Sequence, residues 1–372
     1  MALSDLGRNL RRFMKLKNIS IQQLAINSDL GTATLSNILN YKTSPSLATT
    51  EKIAKALSIS TNDLFQDVPK LKTLKYRTNK ITAREIPELD YLQMNIAFWL
   101  QDYAKLEEQL KEKIPFSLSY IKEKDPKNAA LQVRDYFQKT FNIPKEAPLF
   151  DLIQIVENCG IKIKILPFGF KQTFGMSVGL DENGPAIIIN DDNTISTERK
   201  RFTIAHELGH LILHSRMYAD PDQNENDDME KEADAFASEL LMPEESFVKQ
   251  WNSCVSLNYV DSVLKVKQYF GVSYKTVIYR LSEITKRDDL YRLFYIKYKW
   301  QKNHDLKNHY EPLPLDKDFY KNTFFTSLVI QAYKKNLITN EEAAQLLNLS
   351  IDDLNELDEK EKMNCSNLSF FD

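Results

Sequence analysis

The run RFTIAHELGHLILH at 201–214 is apolar almost throughout, yet it carries His206, His210 and His214 at four-residue intervals, with Glu207 beside the first. Residues four apart share one face of a helix, so a helix here must bury its polar groups along with its apolar ones. Burying two neutral imidazoles and a carboxylate without a partner costs several kcal/mol. The chain therefore has to fold so that this helix lies inside a domain and its polar groups find a common partner. The side chains of His206 and His210 can converge on one metal ion. Glu207, one position round the helix, points to the open side of such an ion, where it can take a proton from water rather than act as a ligand. Three of the chain's five histidines fall within nine residues, which speaks against coincidence.

A catalytic metal normally takes three protein ligands and one water, so a further donor is required from a neighbouring element. The stretch DDMEKEADAFASELLMP supplies candidates at helical spacing. Glu230 and Asp234 lie four apart, and the small Ala233 and Ala237 permit close approach to the first helix. Glu230 then completes a two-histidine, one-glutamate set, and Asp234 accepts a hydrogen bond from a ligand imidazole. Glu232 is turned about 160° from Asp234 and ranks behind Glu230. His214, lacking the glycine-containing extension that would carry a third histidine back to the ion, is expected to pack or to support a ligand. The competing reading of the second stretch is an ordinary solvated acidic face.

At 372 residues the chain has room for two or three cores, and only nine glycines leave little for flexible linkers. The expected class is mainly α with a small β-sheet (α+β). Four segments are expected: a five-helix N-terminal bundle over 1–66, a helical connector over 67–126, a domain with a short sheet over 127–286, and a helical C-terminal region over 287–372. In the connector, Leu92, Ile96, Trp99, Leu100 and Tyr103 form a packing stripe. GIKIKILPF alternates like a strand, and MSVGL with AIIIN forms a hairpin around Asn183–Gly184, giving a three-stranded sheet ahead of the histidine helix. The net charge of −3 names no partner globally. Three widely separated cysteines suit a reducing compartment. Without an apolar leader or a run of about 18 apolar residues, the expectation is a cytoplasmic protein with no membrane partner.

The segment from about 127 to 286, through GIKIKILPF, AIIIN, RFTIAHELGHLILH, EKEADAFASELLMP and VKQYFGVSYKTVIYRL, resembles the ImmA/IrrE family of zinc metallo-endopeptidases. These are bacterial and phage proteins that inactivate DNA-binding repressors. The resemblance implies a zincin-like domain holding one zinc per chain, with manganese left open, on His206, His210 and Glu230. It implies Glu207 as the catalytic base of metal-activated water attack on a peptide bond. The N-terminal stretch from Ile19 to Phe65 resembles the Xre/Cro-type helix-turn-helix. That likeness implies a recognition helix beginning at Gly31, with Thr32, Ala33, Thr34 and Asn37 toward base edges and Lys42 nearby. Residues 1–66 carry eight basic side chains against four acidic ones, which suits double-stranded DNA.

Asp29 stands where the family has a turn glycine, Ile21 stands where it has glutamine, and no Arg or Lys precedes Lys42 in the recognition helix. Base reading then rests on short hydroxyl and amide groups, which leaves a homodimer open as the source of affinity. The expected whole is a DNA-binding regulator fused to a peptidase that cuts a repressor, another regulator or the chain's own linker near 66–80. The alternative is a non-proteolytic regulator or antitoxin whose metal domain is a sensor or structural module.

Overall fold

The computed structural model describes residues 3–69, 71, 74–75, 85–170, 172–220, 226–306, 310–316 and 323–357. They form a mainly helical molecule with one four-stranded mixed sheet, and their contacts divide them into two units.

The first unit begins with α1 (Leu3–Leu16), α2 (Ile21–Ser28), α3 (Thr32–Leu39), α4 (Leu47–Leu57) and α5 (Thr61–Leu64). Their starts follow from side chains that satisfy otherwise unpaired helix amides. Ser20 accepts from the Gln23 amide, Ser46 accepts from the Thr49 amide, and Ser60 forms a reciprocal capping box with Asp63. Leu10, Leu24, Leu35, Leu57 and Leu64 meet in a core closed to solvent. Asp29 ends α2 in the left-handed region (φ 54°, ψ 47°), and its amide bonds back to α2 carbonyls. A short polar side chain tolerates the conformation that glycine would adopt more cheaply. The connector helix α6 (Ile86–Leu110) belongs to this unit, and the Leu92–Tyr103 stripe on it is buried. Arg8 pairs with Asp90 at 2.8 Å, and the Arg12 guanidinium lies 4.0 Å from the Phe98 ring centre.

The second unit contains the sheet. Its strands are β1 (Leu74–Lys75), β2 (Lys162–Leu166), β3 (Gly175–Val178) and β4 (Ala186–Asn190), in the spatial order β1-β3-β4-β2. β2 runs parallel to β4, while β3 is antiparallel to both β4 and β1. The expected three strands are thus joined by a fourth from the connector. Two residues are too few to show the alternation by which strands are read in a sequence. The hairpin turn is also shifted by one position, because Glu182 and Asn183 take positive φ (59° and 66°) rather than Asn183 and Gly184. Gly184 serves a close approach instead, since a Cβ there would lie 1.9 Å from the Gly179 carbonyl oxygen.

Helices α7 (Pro126–Phe141) and α8 (Leu152–Asn158) precede β2, and α9 (Thr197–Leu213) follows β4. α9 packs on β3 and β4 and against α10 (Asp227–Leu241). Gly209 lets the two helices cross closely, because a Cβ there would lie 3.0 Å from the Phe236 ring. α11 (Glu244–Asn252), α12 (Tyr259–Phe270), α13 (Tyr274–Thr285) and α14 (Leu290–Lys302) complete the main core. α15 (Phe324–Lys334) follows, and α16 (Asn340–Leu347) belongs to the first unit.

Buried polar side chains anchor the outer face of α9. The Arg201 guanidinium donates to the carbonyls of Gly271, Phe150 and Leu149 at 2.8, 2.6 and 2.6 Å. Glu198 pairs with Lys267 at 2.6 Å, both fully buried. These bonds join α9 to α12 and to the segment before α8, which prevents rotation of the helix about its axis.

Glu157, at the end of α8, accepts from the Phe324 amide at 2.9 Å, and burial pushes its carboxyl up to about 8. A group whose pKa is raised by folding stabilises most at low pH and loses that contribution as pH climbs through the folded value. Glu157→Gln should therefore melt above wild type at pH 9, by about 2–4 °C for each kcal/mol recovered, with the gap closing toward pH 5. Thermal melts across this range check the expectation, and a pH-independent difference would contradict it.

Candidate functional site

Five polar side chains from α9 and α10 converge with His214. The Nε2 atoms of His206 and His210 lie 3.1 Å apart. Glu230 brings Oε2 to 3.9 Å from the first and Oε1 to 3.7 Å from the second. A tetrahedral ion with ligand bonds of about 2.0–2.1 Å separates its ligands by roughly 3.3 Å, so the three donors fit one metal with small adjustments. Among the described residues these three are the group of histidine and carboxylate donors that could hold an ion, and their donor atoms all fall within 4.8 Å of one another.

The outer hydrogen bonds determine which ring nitrogens are bare. His206 Nδ1 lies 2.8 Å from Asp234 Oδ1, and an ionised carboxylate only accepts, so the proton is on Nδ1. Nε2 is left with a lone pair. His214 Nε2 donates to Glu232 Oε2 at 2.8 Å, so the Nδ1 of neutral His214 is an acceptor. It lies 2.9 Å from His210 Nδ1, which must then donate, and His210 Nε2 is bare as well. Burial, the main cause, brings the His210 imidazole down to about 4, so it is neutral near neutral pH. Two lone pairs and a carboxylate thus face one point, an arrangement that repels itself unless a cation lies between them.

Glu207 stands apart from this cluster, against β3. Its Oε2 accepts from Ser177 Oγ at 2.6 Å, and Ser177 Oγ lies 2.8 Å from Tyr218 Oη. With Glu207 ionised, the serine proton goes to the carboxylate and the tyrosine donates to the serine oxygen. Residues two apart on a strand share a face, and β3 with its continuation presents Gly175, Ser177 and Gly179 on the face toward α9. A Cβ on Gly175 would lie 2.4 Å from Thr203 Cγ2 and 2.9 Å from Glu207 Oε1, and one on Gly179 would lie 2.5 Å from Tyr218 Cβ. The alternating small residues leave room for the carboxylate and the phenol.

His206, His210, Glu230 and Asp234 are brought together, while Glu207 lies against the strand. His214 and Glu232, which ranked lower in the sequence, form a relay behind His210, the imidazole buried and the carboxylate at the surface. Ser177 was missed. The alternation of small and large residues in GMSVG was the available signal, because it marks a strand face that another element approaches closely.

In the first unit, Gly31 is the N-cap of α3 rather than its first residue. Thr32, Ala33, Thr34 and Lys42 are exposed and Asn37 is half-buried. The inward positions Leu35, Ile38 and Leu39 are in the core, so the helix presents its N-terminal hydroxyls on one open face.

Comparison with known proteins comes at two places in the chain. A model of the Cro/C1-type HTH DNA-binding domain matches residues 9–70, and a peptidase M78 model, the IrrE N-terminal-like domain, matches residues 156–282. Metallopeptidase ImmA of Bacillus subtilis (strain 168) is 33% identical over 142 residues, which cover 35% of this chain and 76% of the relative.

Ser177→Ala removes the donor to a buried carboxylate oxygen and should cost about 1–3 kcal/mol in urea denaturation. Gly175→Ala should cost more, since its methyl group displaces both Thr203 and Glu207. An unchanged midpoint in both variants would contradict the packing of Glu207 against β3.

Proposed function

The chain belongs to the ImmA/IrrE metallopeptidase family and carries a Cro/C1-type helix-turn-helix domain ahead of the peptidase segment, and on that premise we propose a DNA-binding regulator joined to a zinc-dependent endopeptidase. Its substrate is a regulatory protein, either a repressor or the chain itself. The observation that carries this reading is the convergence of the bare Nε2 atoms of His206 and His210 with the Glu230 carboxylate, one helical position from Glu207. This convergence supports the zincin-like reading of the domain.

His206, His210 and Glu230 would hold one zinc, with manganese as the other ion suited to this donor set. When bound, the ion supplies Lewis acidity to a peptide carbonyl and to water. Asp234 keeps the His206 ring in its tautomer, and His214 with Glu232 does the same for His210. Glu207 accepts the proton of the attacking water and returns it to the departing amine. Ser177 and Tyr218 hold the carboxylate where that transfer can occur. The self-cleavage segment near 66–80 falls largely outside the described residues.

The helix-turn-helix unit places α3 in the major groove of an operator. Thr32, Ala33, Thr34 and Asn37 meet base edges there, and Lys42 meets the backbone. Short hydroxyl and amide contacts favour a homodimer on a two-fold site. No helix among the described residues is long and apolar enough to cross a membrane. A cytoplasmic location goes with operator binding.

Metal analysis of the purified full chain should find about one zinc in wild type and in Glu207→Gln, and little in His206→Ala or Glu230→Gln. Glu207→Gln should lower the rate of substrate cleavage by about 10²–10⁴-fold. Undiminished cleavage in that variant would overturn the base assignment, and equal zinc in all four proteins would overturn the ligand set. Lys42→Ala should weaken operator binding and reduce the salt slope by about one. An unchanged slope would remove Lys42 from the backbone contact.

A further inference from the structure

A strand at the edge of a sheet presents unpaired amides and carbonyls, a template on which another extended segment can add. β4 is covered on both sides, by β2 and β3. The outer side of β3 would be such an edge, and it is the edge nearest Glu207, through the Ser177 bond of 2.6 Å. In this chain it is covered by Leu74 and Lys75, two residues from a segment a hundred positions earlier, which pair antiparallel with Val178 and Ser177.

The added pair is fitted by its side chains as well as its backbone. Residues directly opposite one another in an antiparallel pair point to the same face. Lys75 therefore lies on the α9 face with Ser177, and Leu74 lies on the other face with Val178. Lys75 is 4% exposed and Leu74 is 7% exposed, deep burial for a two-residue strand. The Lys75 ammonium donates to the Asp220 carbonyl at 2.7 Å, just beyond the turn that holds Tyr218. Burial of an ammonium is costly without such an acceptor, so this position selects a basic side chain. The opposite position, against fully buried Val178, selects an apolar one.

We propose that the outer edge of β3 is a docking edge for an extended peptide in which an apolar residue precedes a lysine or arginine, and that Leu74–Lys75 occupies this edge in cis. The inference rests on the peptidase reading for its consequence. A peptide continuing in the same register passes Met176 and Gly175, beside the Glu207 carboxylate, so the edge that binds the segment is the edge that presents it to the base. The tethered pair competes with any incoming chain at a high effective concentration, on the order of millimolar. The resident segment thus restrains the site until it is displaced.

The probe is a fluorescein-labelled peptide of sequence LKTLKYRTNK, corresponding to residues 71–80, added to the full zinc-loaded chain carrying Glu207→Gln. Binding is read by anisotropy and requires no cleavage, so failure of the proteolytic reading leaves this test intact. In this background Leu74→Ser with Lys75→Ser should bind the probe about tenfold or more tightly than the protein with its own segment intact. A probe with glutamate in place of the lysine matching Lys75 should bind at least tenfold more weakly. Hydrogen exchange provides a second measurement, independent of how well the double variant folds. The Ser177 amide, which faces the outer edge opposite Lys75, should be protected with Leu74–Lys75 in place, lose protection in Lys75→Glu, and regain it with the probe. Equal probe affinity with and without the resident pair, indifference to the lysine-to-glutamate change, or an unprotected Ser177 amide in the parent protein would each overturn the proposal.

Discussion

Two imidazole nitrogens 3.1 Å apart, each with its lone pair directed at the same point beside a carboxylate, are the constraint on which the rest of the second unit depends. Such a group is unstable in an apolar core unless a cation neutralises it and outer partners orient the rings. The surrounding architecture answers both needs. α10 crosses α9 where Gly209 faces Phe236 and Ala233, which brings Glu230 and Asp234 to the histidine face. His214 and Glu232 extend the same logic one turn further along α9. The buried anchors Arg201 and Glu198 on the far side then fix the rotation of α9, and with it the direction in which the histidines point.

Glu207, proposed as the base, obeys a different requirement, since such a group has to lie close to the donor cluster without joining it. β3 meets it by alternating small residues with large ones. Gly175 makes space for the carboxylate, Ser177 donates to it, and Tyr218 steadies the serine from the turn after α9. The same strand offers its outer edge to Leu74–Lys75. One short strand therefore links the position of Glu207 to the backbone pairing beside it, so a change at the edge is felt at the carboxylate through Ser177.

Much of this was legible in the residues alone, where local rules suffice. Four-residue spacing placed His206 and His210 together, and the same spacing in DDMEKEADAFASELLMP offered Glu230 and Asp234. The alternation in GIKIKILPF likewise depends only on near neighbours. What remained hidden depends on contacts across long separations. Lys75 meets Ser177 a hundred residues later, and two residues carry no periodicity of their own. Ser177 is an ordinary strand serine until Glu207 is laid against it. Gly184 looked like half of a turn signal, yet its role is to let the Gly179 carbonyl approach. The Glu232 relay was obscured because helical angles tell which way a side chain leaves the axis, but not what a neighbouring helix has placed there.

The measurement that bears most directly on the central arrangement is X-ray absorption at the zinc edge of the full chain loaded with one equivalent of metal. The first shell should contain nitrogen and oxygen only, at about 2.0–2.1 Å, with outer-shell scattering from two imidazoles. That imidazole signal should vanish when His206 and His210 are both replaced by alanine. A sulfur shell near 2.3 Å, a purely oxygen shell, or an unchanged spectrum after the double replacement would contradict it.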